Sequence, residues 1–173
     1  MGGYQFDRLK VLIVDDNPHM RKVVFAILHG FGVQSLFEAH DAERAWSMLA
    51  EFRPDIIFLD WMMGGMTGVE LTKMIRTNAA SPDPYVPIIM LTGHTSSEHV
   101  REARDAGVTE FLAKPVSAQA ILTRLAAVID HPRPFVRTEA YFGPDRRRHA
   151  NAEYRGPERR DEPASARKTE NAA

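Results

Sequence analysis

The chain has 173 residues, with 22 Lys and Arg against 23 Asp and Glu, 44% hydrophobic residues and no Cys. This length predicts one domain with an appendage, and the lack of Cys excludes disulfides, Cys-based zinc sites and thiol chemistry. No apolar run approaches the roughly 18 residues of a membrane span, and the opening residues MGGYQFDRLK do not resemble a signal peptide. We therefore expect a cytoplasmic protein without membrane insertion.

The charge divides the chain into two parts. Residues 1–130 carry 12 Lys and Arg against 16 Asp and Glu, whereas residues 131–173 carry 10 against 7. Every basic residue from Arg133 to Arg160 is an arginine. An acidic body followed by an arginine-rich extension predicts two functions on one chain, with a domain over residues 7–130 and an extension over 131–173.

Within the body, apolar runs alternate with helical patterns. Pro18 favours a helix start, Arg53-Pro54 ends a helix, and Gly107 ends another. The predicted strands lie near 10–14, 33–38, 55–60, 88–92 and 109–113, and the predicted helices over 18–30, 41–52, 68–79, 96–106 and 117–129. Five such units in order predict an α/β fold, a doubly wound five-stranded parallel sheet with right-handed crossovers.

Polar residues stand where these strands end, at the edge where ligands of such sheets bind. Strand one ends in Asp15-Asp16, strand three in Asp60 and strand four in Thr92, and strand five leads into Lys114. Three carboxylates at one edge repel each other unless a cation binds them, and oxygen ligands favour Mg²⁺. Lys114 and Thr92 could hold the oxygens of a phosphoryl group, and Asp60 could be its nucleophile.

This set of residues, together with Pro115, resembles the receiver domain of bacterial response regulators over roughly residues 7–130. The resemblance implies that Asp60 accepts a phosphoryl group from a histidine kinase or phosphotransfer protein. It also implies that Asp15, Asp16 and Asp60 hold Mg²⁺. The chain is similar to CheY-like members in having no standard output domain.

The resemblance further implies that Thr92 and Phe111 form a switch pair and that the Lys114-Pro115 peptide is cis. Taken singly, the site residues have structural explanations, because Asp and Thr cap helices and Lys is often a solvated charge. Their joint occurrence at the strand ends favours the phosphoryl site. The sequence departs from the family pattern at Met62, Gly64 and Thr67, which puts the lifetime of the phosphoryl group in question.

The extension has few aliphatic residues and cannot bury a core of its own, so we expect it to be mostly disordered when free. It is too short for a helix-turn-helix output domain, which argues against DNA binding. It nevertheless contains a repeat, because YFGPDRR at 141–147 recurs as YRGPERR at 154–160. Each copy supplies an aromatic ring, a Gly-Pro turn, one carboxylate and a pair of guanidinium groups.

These groups suit guanine nucleotides. Arginine donates two parallel hydrogen bonds to guanine O6 and N7, worth about 1–3 kcal/mol of discrimination. Carboxylates can accept from guanine N1–H and N2–H, rings and guanidiniums can stack on the base, and further arginines can pair with phosphate. Two copies suit a twofold-symmetric ligand with two guanines and two phosphates, such as cyclic di-GMP.

A receiver with such a tail resembles the Cle group of CheY-like proteins, in which an arginine-rich C-terminal segment binds cyclic di-GMP and the protein acts at the flagellar motor. That resemblance implies a non-enzymatic and monomeric effector that contacts a flagellar motor switch protein at the cell pole. It implies a binding set within residues 141–160 that comprises Tyr141, Gly143, Pro144, Asp145, Arg146, Arg147, Arg148, Tyr154, Arg155, Gly156, Pro157, Glu158, Arg159 and Arg160.

Other interpretations of the extension stay open. It could be an inert charged linker, or it could bind RNA or an anionic membrane surface, although the acids interleaved at fixed positions weaken bare phosphate attraction. The protein would then be a plain phosphorelay receiver. An NTP-dependent enzyme is disfavoured, because the sequence has no Gly-rich phosphate-binding loop.

Overall fold

A computed structural model describes residues 5–93 and 96–146. Its main sheet has five parallel strands in the order β2-β1-β3-β4-β5. The strands are β1 (Lys10–Val14), β2 (Ser35–Ala39), β3 (Ile56–Asp60), β4 (Ile88–Thr92) and β5 (Glu110–Ala113). The helices are α1 (Pro18–Gly30), α2 (Ala42–Phe52), α3 (Gly68–Thr77), α4 (Ser97–Ala106) and α5 (Ala118–Asp130). The predicted doubly wound fold is confirmed.

Each helix begins at a polar side chain that accepts a hydrogen bond from a backbone N–H of the first turn, which satisfies a donor that the helix itself leaves unpaired. Thr67 and Glu70 at α3 form a reciprocal capping box. The capping residues are Asn17, Asp41, Thr67, Ser96 and Ser117. These short polar residues fix where each helix starts, and so they fix the loops that follow the strands.

The sheet has a hydrophobic core on each face. Alternate residues of β1, such as Leu12 and Ile13, point to opposite faces. One face packs against α2, α3 and α4, and the other packs against α1 and α5. Every residue of β3 and β4 is buried, as expected for central strands covered on both faces. The central strands are thus held rigidly, and their carboxyl ends are held with them.

The start of the extension is ordered. Two further strands, β6 (Phe135–Arg137) and β7 (Phe142–Pro144), pair in antiparallel fashion, and the Thr138 N–H donates to the Tyr141 carbonyl at 2.8 Å. We call residues 133–146 the C-terminal hairpin. The composition of the extension did not predict it, because the hairpin packs on the body instead of on a core of its own.

Arg147, Arg148 and the second repeat copy lie outside the described residues. Within 5–93 and 96–146, no helix is long and apolar enough to cross a membrane.

Candidate functional site

Three carboxylates meet at the carboxyl ends of β1 and β3. Asp15 and Asp60 are buried, whereas Asp16 is exposed. One carboxylate oxygen from each of the three residues lies within 4.8 Å of the others. The structure therefore brings together the three acids that the strand-end argument selected.

Lys114 supplies the positive charge of this site. Its Nζ donates to Asp60 Oδ1 at 2.7 Å and to Asp15 Oδ2 at 3.1 Å. The residue directly follows β5, and its peptide bond to Pro115 is cis, as the resemblance implied. Lys114 is 54 residues from Asp60 in the chain, and the fold of the sheet brings the two side chains within hydrogen-bond distance.

The site perturbs the proton affinities of its groups. Burial raises the pKa of Asp60, and the charge of Asp15 adds to this rise, while the hydrogen bond from Lys114 opposes it. Burial alone would lower the pKa of Lys114, but its hydrogen bonds to Asp60 and Asp15 raise it overall. Lys114 is therefore a firmly charged ammonium group, and Asp60 is a carboxylate whose negative charge is poorly solvated.

The donor set fits a hard divalent cation. The three clustered groups all offer oxygen, and one ammonium cannot balance three carboxylates. Backbone groups orient two of them, because the Asn17 N–H donates to Asp15 Oδ1 at 2.8 Å and the Gly64 N–H donates to Asp16 Oδ2 at 3.2 Å. Asp15, Asp16 and Asp60 are accordingly the residues that would hold Mg²⁺, which would neutralise charge on a phosphoryl oxygen.

The two predicted switch residues lie on neighbouring strands. Thr92 is buried at the end of β4, beside Ala113 of β5. Phe111 is partly buried against the core that contains α2, α3 and α4. The structure places both on the β4–β5 side of the acidic cluster, and their switching role stays a prediction.

Sequence reasoning missed Gly68, the first residue of α3. A Cβ atom at this position would lie 2.2 Å from the backbone oxygen of Asp60, so only glycine allows α3 to begin this close to the acidic cluster. The Gly68 N–H also donates to the Trp61 carbonyl at 2.8 Å. The feature of the sequence that could have identified this position is the glycine directly after the capping residue Thr67.

The three departures from the family pattern have distinct places. Met62 follows Asp60 by two residues and is 58% exposed. Gly64 contributes its N–H to Asp16, and Thr67 caps α3. None of them displaces a carboxylate or the lysine.

A family model described as the response regulator receiver domain matches residues 11–126. The chain belongs to this family. The receiver is 31% identical to the chemotaxis protein CheY of Pseudomonas aeruginosa over 122 residues, which is 70% of this chain and 97% of that protein.

The receiver is also 32% identical to the phosphate regulon transcriptional regulatory protein PhoB of the same species, over 72% of this chain and only 53% of PhoB. The solved structure of the chemotaxis response regulator CheY4 of Vibrio cholerae matches with a TM-score of 0.64 and 35% identity, over 69% of this chain and 98% of that one. The chain thus spans nearly all of its CheY relatives and about half of PhoB.

Residues 141–146 of the first repeat copy lie in the C-terminal hairpin. The Tyr141 hydroxyl donates to the Pro144 carbonyl at 2.7 Å, and the Arg146 guanidinium lies 3.9 Å from the centre of the Tyr141 ring. Arg146 also pairs with Asp105 of α4 at 2.9 Å. Gly143 is buried, and a Cβ there would meet the Tyr141 hydroxyl at 2.6 Å. Of these candidate ligand-binding residues, Arg146 therefore ties the hairpin to the receiver, while Tyr141 bonds within the hairpin.

Ion pairs join the hairpin to the receiver at the start of β5. Glu110 accepts a hydrogen bond from Arg133 at 2.8 Å and pairs with Arg124 of α5 at 3.5 Å. Arg104 of α4 donates to the Arg146 carbonyl at 3.0 Å. The hairpin is thus attached to α4 and β5 at the ends of these elements that lie away from the acidic cluster.

Proposed function

We propose that Asp60 is the phosphoacceptor of a magnesium-dependent phosphorelay. The observation that carries this proposal is the Lys114 ammonium 2.7 Å from a buried Asp60, beside two further carboxylates. A carboxylate oxygen of Asp60 attacks phosphorus, the bond to the donor breaks, and the donor leaves with the bonding electrons. Lys114 then compensates charge on the phosphoryl group.

The donor is a phosphohistidine of a histidine kinase or phosphotransfer protein. Membership in the receiver family supports this assignment, as does the similarity to CheY over nearly its whole length. The protein then acts as a signalling receiver whose product is its own phosphorylated state, and not as an enzyme that turns over a separate substrate.

Replacement of the acceptor tests this function. Asp60→Asn should abolish labelling by a small phosphodonor in the presence of Mg²⁺, because the amide lacks the nucleophilic oxygen. Chelation of Mg²⁺ should abolish labelling of the wild type. Glu51→Gln, an exposed acid on α2, is the matched control and should be labelled normally. Undiminished labelling of the Asn variant would refute the assignment.

For the extension, we propose that the repeat over 141–160 binds cyclic di-GMP and that the bound form alters the contact with a flagellar motor switch protein. The repeat itself supports this, since each copy combines an aromatic residue, a carboxylate and paired arginines in the same order. A nucleotide that uses Tyr141 and Arg146 must replace their contacts with each other and with Asp105. Ligand binding and release of the hairpin would thus be linked.

Calorimetric titration of the full chain with cyclic di-GMP tests this second proposal. Replacing Arg147, Arg148, Arg159 and Arg160 by Ala should weaken binding at least tenfold and leave Asp60 labelling intact. Replacing Arg167 and Lys168 by Ala is the matched control, because these residues belong to the extension but not to the repeat. Unchanged affinity in the fourfold variant would refute the proposal and favour a plain phosphorelay receiver with an inert tail or one that binds nucleic acid nonspecifically.

A further inference from the structure

A cleft of about 550 Å³ separates the C-terminal end of α3 from the hairpin. The receiver side is lined by Arg76, the last turn of α3 and the loop that contains Ser81, and the hairpin side includes Arg137, Glu139 and Tyr141. Since α3 begins at the acidic cluster with Gly68, its other end is far from the phosphoacceptor. The cleft is therefore separate from the phosphoryl site.

Arg76 is the central side chain of this cleft. The residue is only 3% exposed. Its Nε donates to the Gly107 carbonyl at 3.1 Å and its Nη1 donates to the Pro84 carbonyl at 2.9 Å. The guanidinium carbon lies 5.1 Å from the ring centre of Phe135 in β6. The third nitrogen, Nη2, is buried and has no hydrogen-bond partner in the described chain.

The charge of Arg76 is poorly compensated. Among residues 5–93 and 96–146, no carboxylate forms an ion pair with it. Burial lowers its pKa to about 10, against which Tyr141 and Asp83 act more weakly, so the group is still charged at neutral pH. A buried guanidinium whose hydrogen bonds go only to carbonyls is costly, and an anion beside it would lower that cost.

Ser81 adds a second unsatisfied group to the same cleft. Its Oγ is buried and has no hydrogen-bond partner in the described residues. On the hairpin side, Arg137 lies over the Phe142 ring at 4.4 Å and carries a further positive charge, while Glu139 carries the one negative charge of the lining. The lining of the cleft thus contains two guanidinium groups and the Ser81 hydroxyl but a single carboxylate, and this balance favours an anionic ligand.

We propose that this cleft binds a phosphate group, which accepts hydrogen bonds from Arg76 Nη2 and Ser81 Oγ and is attracted by Arg137. Guanidinium groups present paired donors that match phosphate oxygens. Because both donor atoms are shielded from solvent, binding is accompanied by a shift of the Arg76 side chain or of the hairpin. A phosphate-bearing ligand would therefore alter how the hairpin sits on α3.

NMR of arginine side chains in the full-length protein tests the proposal. Inorganic phosphate is titrated at constant ionic strength into an Asp60→Asn background without Mg²⁺, which removes the phosphoacceptor as a competing site. We expect a saturable shift of the Arg76 Nε–H resonance, assigned from its loss in Arg76→Lys. Ser81→Ala should weaken phosphate binding by roughly tenfold or more, because a hydrogen bond to a charged acceptor is worth more than one between neutral groups. Arg137→Gln should weaken it further, and Arg101→Gln on the exposed face of α4 should not change it.

Two results would overturn the proposal. One is an Arg76 resonance that stays unchanged or drifts without saturation. The other is phosphate binding that survives Ser81→Ala and Arg137→Gln but is lost when Arg147, Arg148, Arg159 and Arg160 are replaced, since the anion would then lie on the repeat.

A parallel titration with cyclic di-GMP identifies the source of the phosphate. Saturation of the Arg76 shift by the nucleotide, weakened by Ser81→Ala, assigns the site to a nucleotide phosphate. Saturation by inorganic phosphate alone assigns it to a free phosphate. The two titrations therefore test the phosphate cleft independently of the proposal that the repeat binds cyclic di-GMP.

Discussion

At the scale of single residues, the acidic cluster contains carboxylates that repel each other and that the fold nevertheless keeps close together. Asp15 and Asp60 are buried next to each other, and the Lys114 ammonium group bonds to both. This arrangement keeps Asp60 available as a charged nucleophile but makes its charge unfavourable, as its raised pKa indicates. A bound Mg²⁺ would relieve part of this repulsion, so the cation should also stabilise the fold.

We predict that Asp60→Asn raises the free energy of unfolding at pH 7 without Mg²⁺. The raised pKa means that the folded state binds the Asp60 proton more tightly than the unfolded state does. Stability of the wild type therefore falls as the pH rises from the ordinary carboxyl pKa of about 3.9 through the raised value. The neutral amide avoids this loss. Urea unfolding between pH 4 and pH 7 measures it.

The pH dependence of urea unfolding also tests the electrostatic explanation. The advantage of Asp60→Asn should shrink towards acidic pH, where the wild-type carboxyl is protonated, and Glu51→Gln should show no comparable gain. Added Mg²⁺ should stabilise the wild type more than the Asn variant. A less stable Asn variant, or a gain that does not depend on pH, would contradict the electrostatic account.

At the scale of elements, the sequence predicted the strands and helices whose own residues contain apolar runs or capping residues. The apolar runs of β3 and β4 and the capping residues Asp41 and Ser117 put each predicted boundary within a few residues of the observed one. The hairpin has no such signals. Phe135 and Phe142 lie beside Tyr85 of the receiver, with ring centres 5.2 Å apart in each pair, so its stability comes from distant residues that composition cannot identify.

The junction between β3 and α3 gives a prediction at this scale. Gly68→Ala would place Cβ 2.2 Å from the Asp60 carbonyl, which forces α3 away from the end of β3. We expect a loss of about 1–3 kcal/mol in the free energy of unfolding, as for other overpacked buried positions, together with slower labelling of Asp60. Thermal unfolding and phosphodonor labelling measure the two effects.

Gly64→Ala is the matched control for this junction. A Cβ at Gly64 has nothing within 4 Å, and the substitution keeps the N–H that donates to Asp16. Its stability should be close to that of the wild type. Equal stability of the two alanine variants would show that the close approach at Gly68 does not constrain the site.

At the scale of the whole molecule, the clustering of the acids was predictable from the sequence and the packing of the hairpin on the receiver was not. Strand order and direction bring Asp15, Asp60 and Lys114 to one edge, so predicting the strands sufficed to predict the cluster. No comparable rule predicts which residues the arginines of the extension contact. Arg133 and Arg146 pair with Glu110 and Asp105 of the receiver, and no local pattern specifies those partners.

The connection through β5 suggests that phosphorylation reaches the hairpin. Glu110 at the start of this strand binds Arg133, and Lys114 just past its end binds Asp60. The two lie four residues apart, about 13 Å along an extended strand. A phosphoryl group on Asp60 competes for Lys114, and any resulting movement of β5 acts directly on the Arg133 pair. We therefore predict that phosphorylation changes backbone amide exchange within residues 133–146.

Hydrogen exchange with mass spectrometry on the full chain, with and without phosphodonor and Mg²⁺, measures this coupling. The change should be absent in Asp60→Asn, which cannot be phosphorylated. It should be reduced in Glu110→Gln, because the neutral amide loses its ion pairs with Arg133 and Arg124 while Asp60 and Lys114 stay intact. If the hairpin exchanges identically in phosphorylated and unphosphorylated protein, β5 does not transmit the signal. The hairpin would then be a fixed part of the receiver, and its contacts with α4 and β5 would serve stability alone.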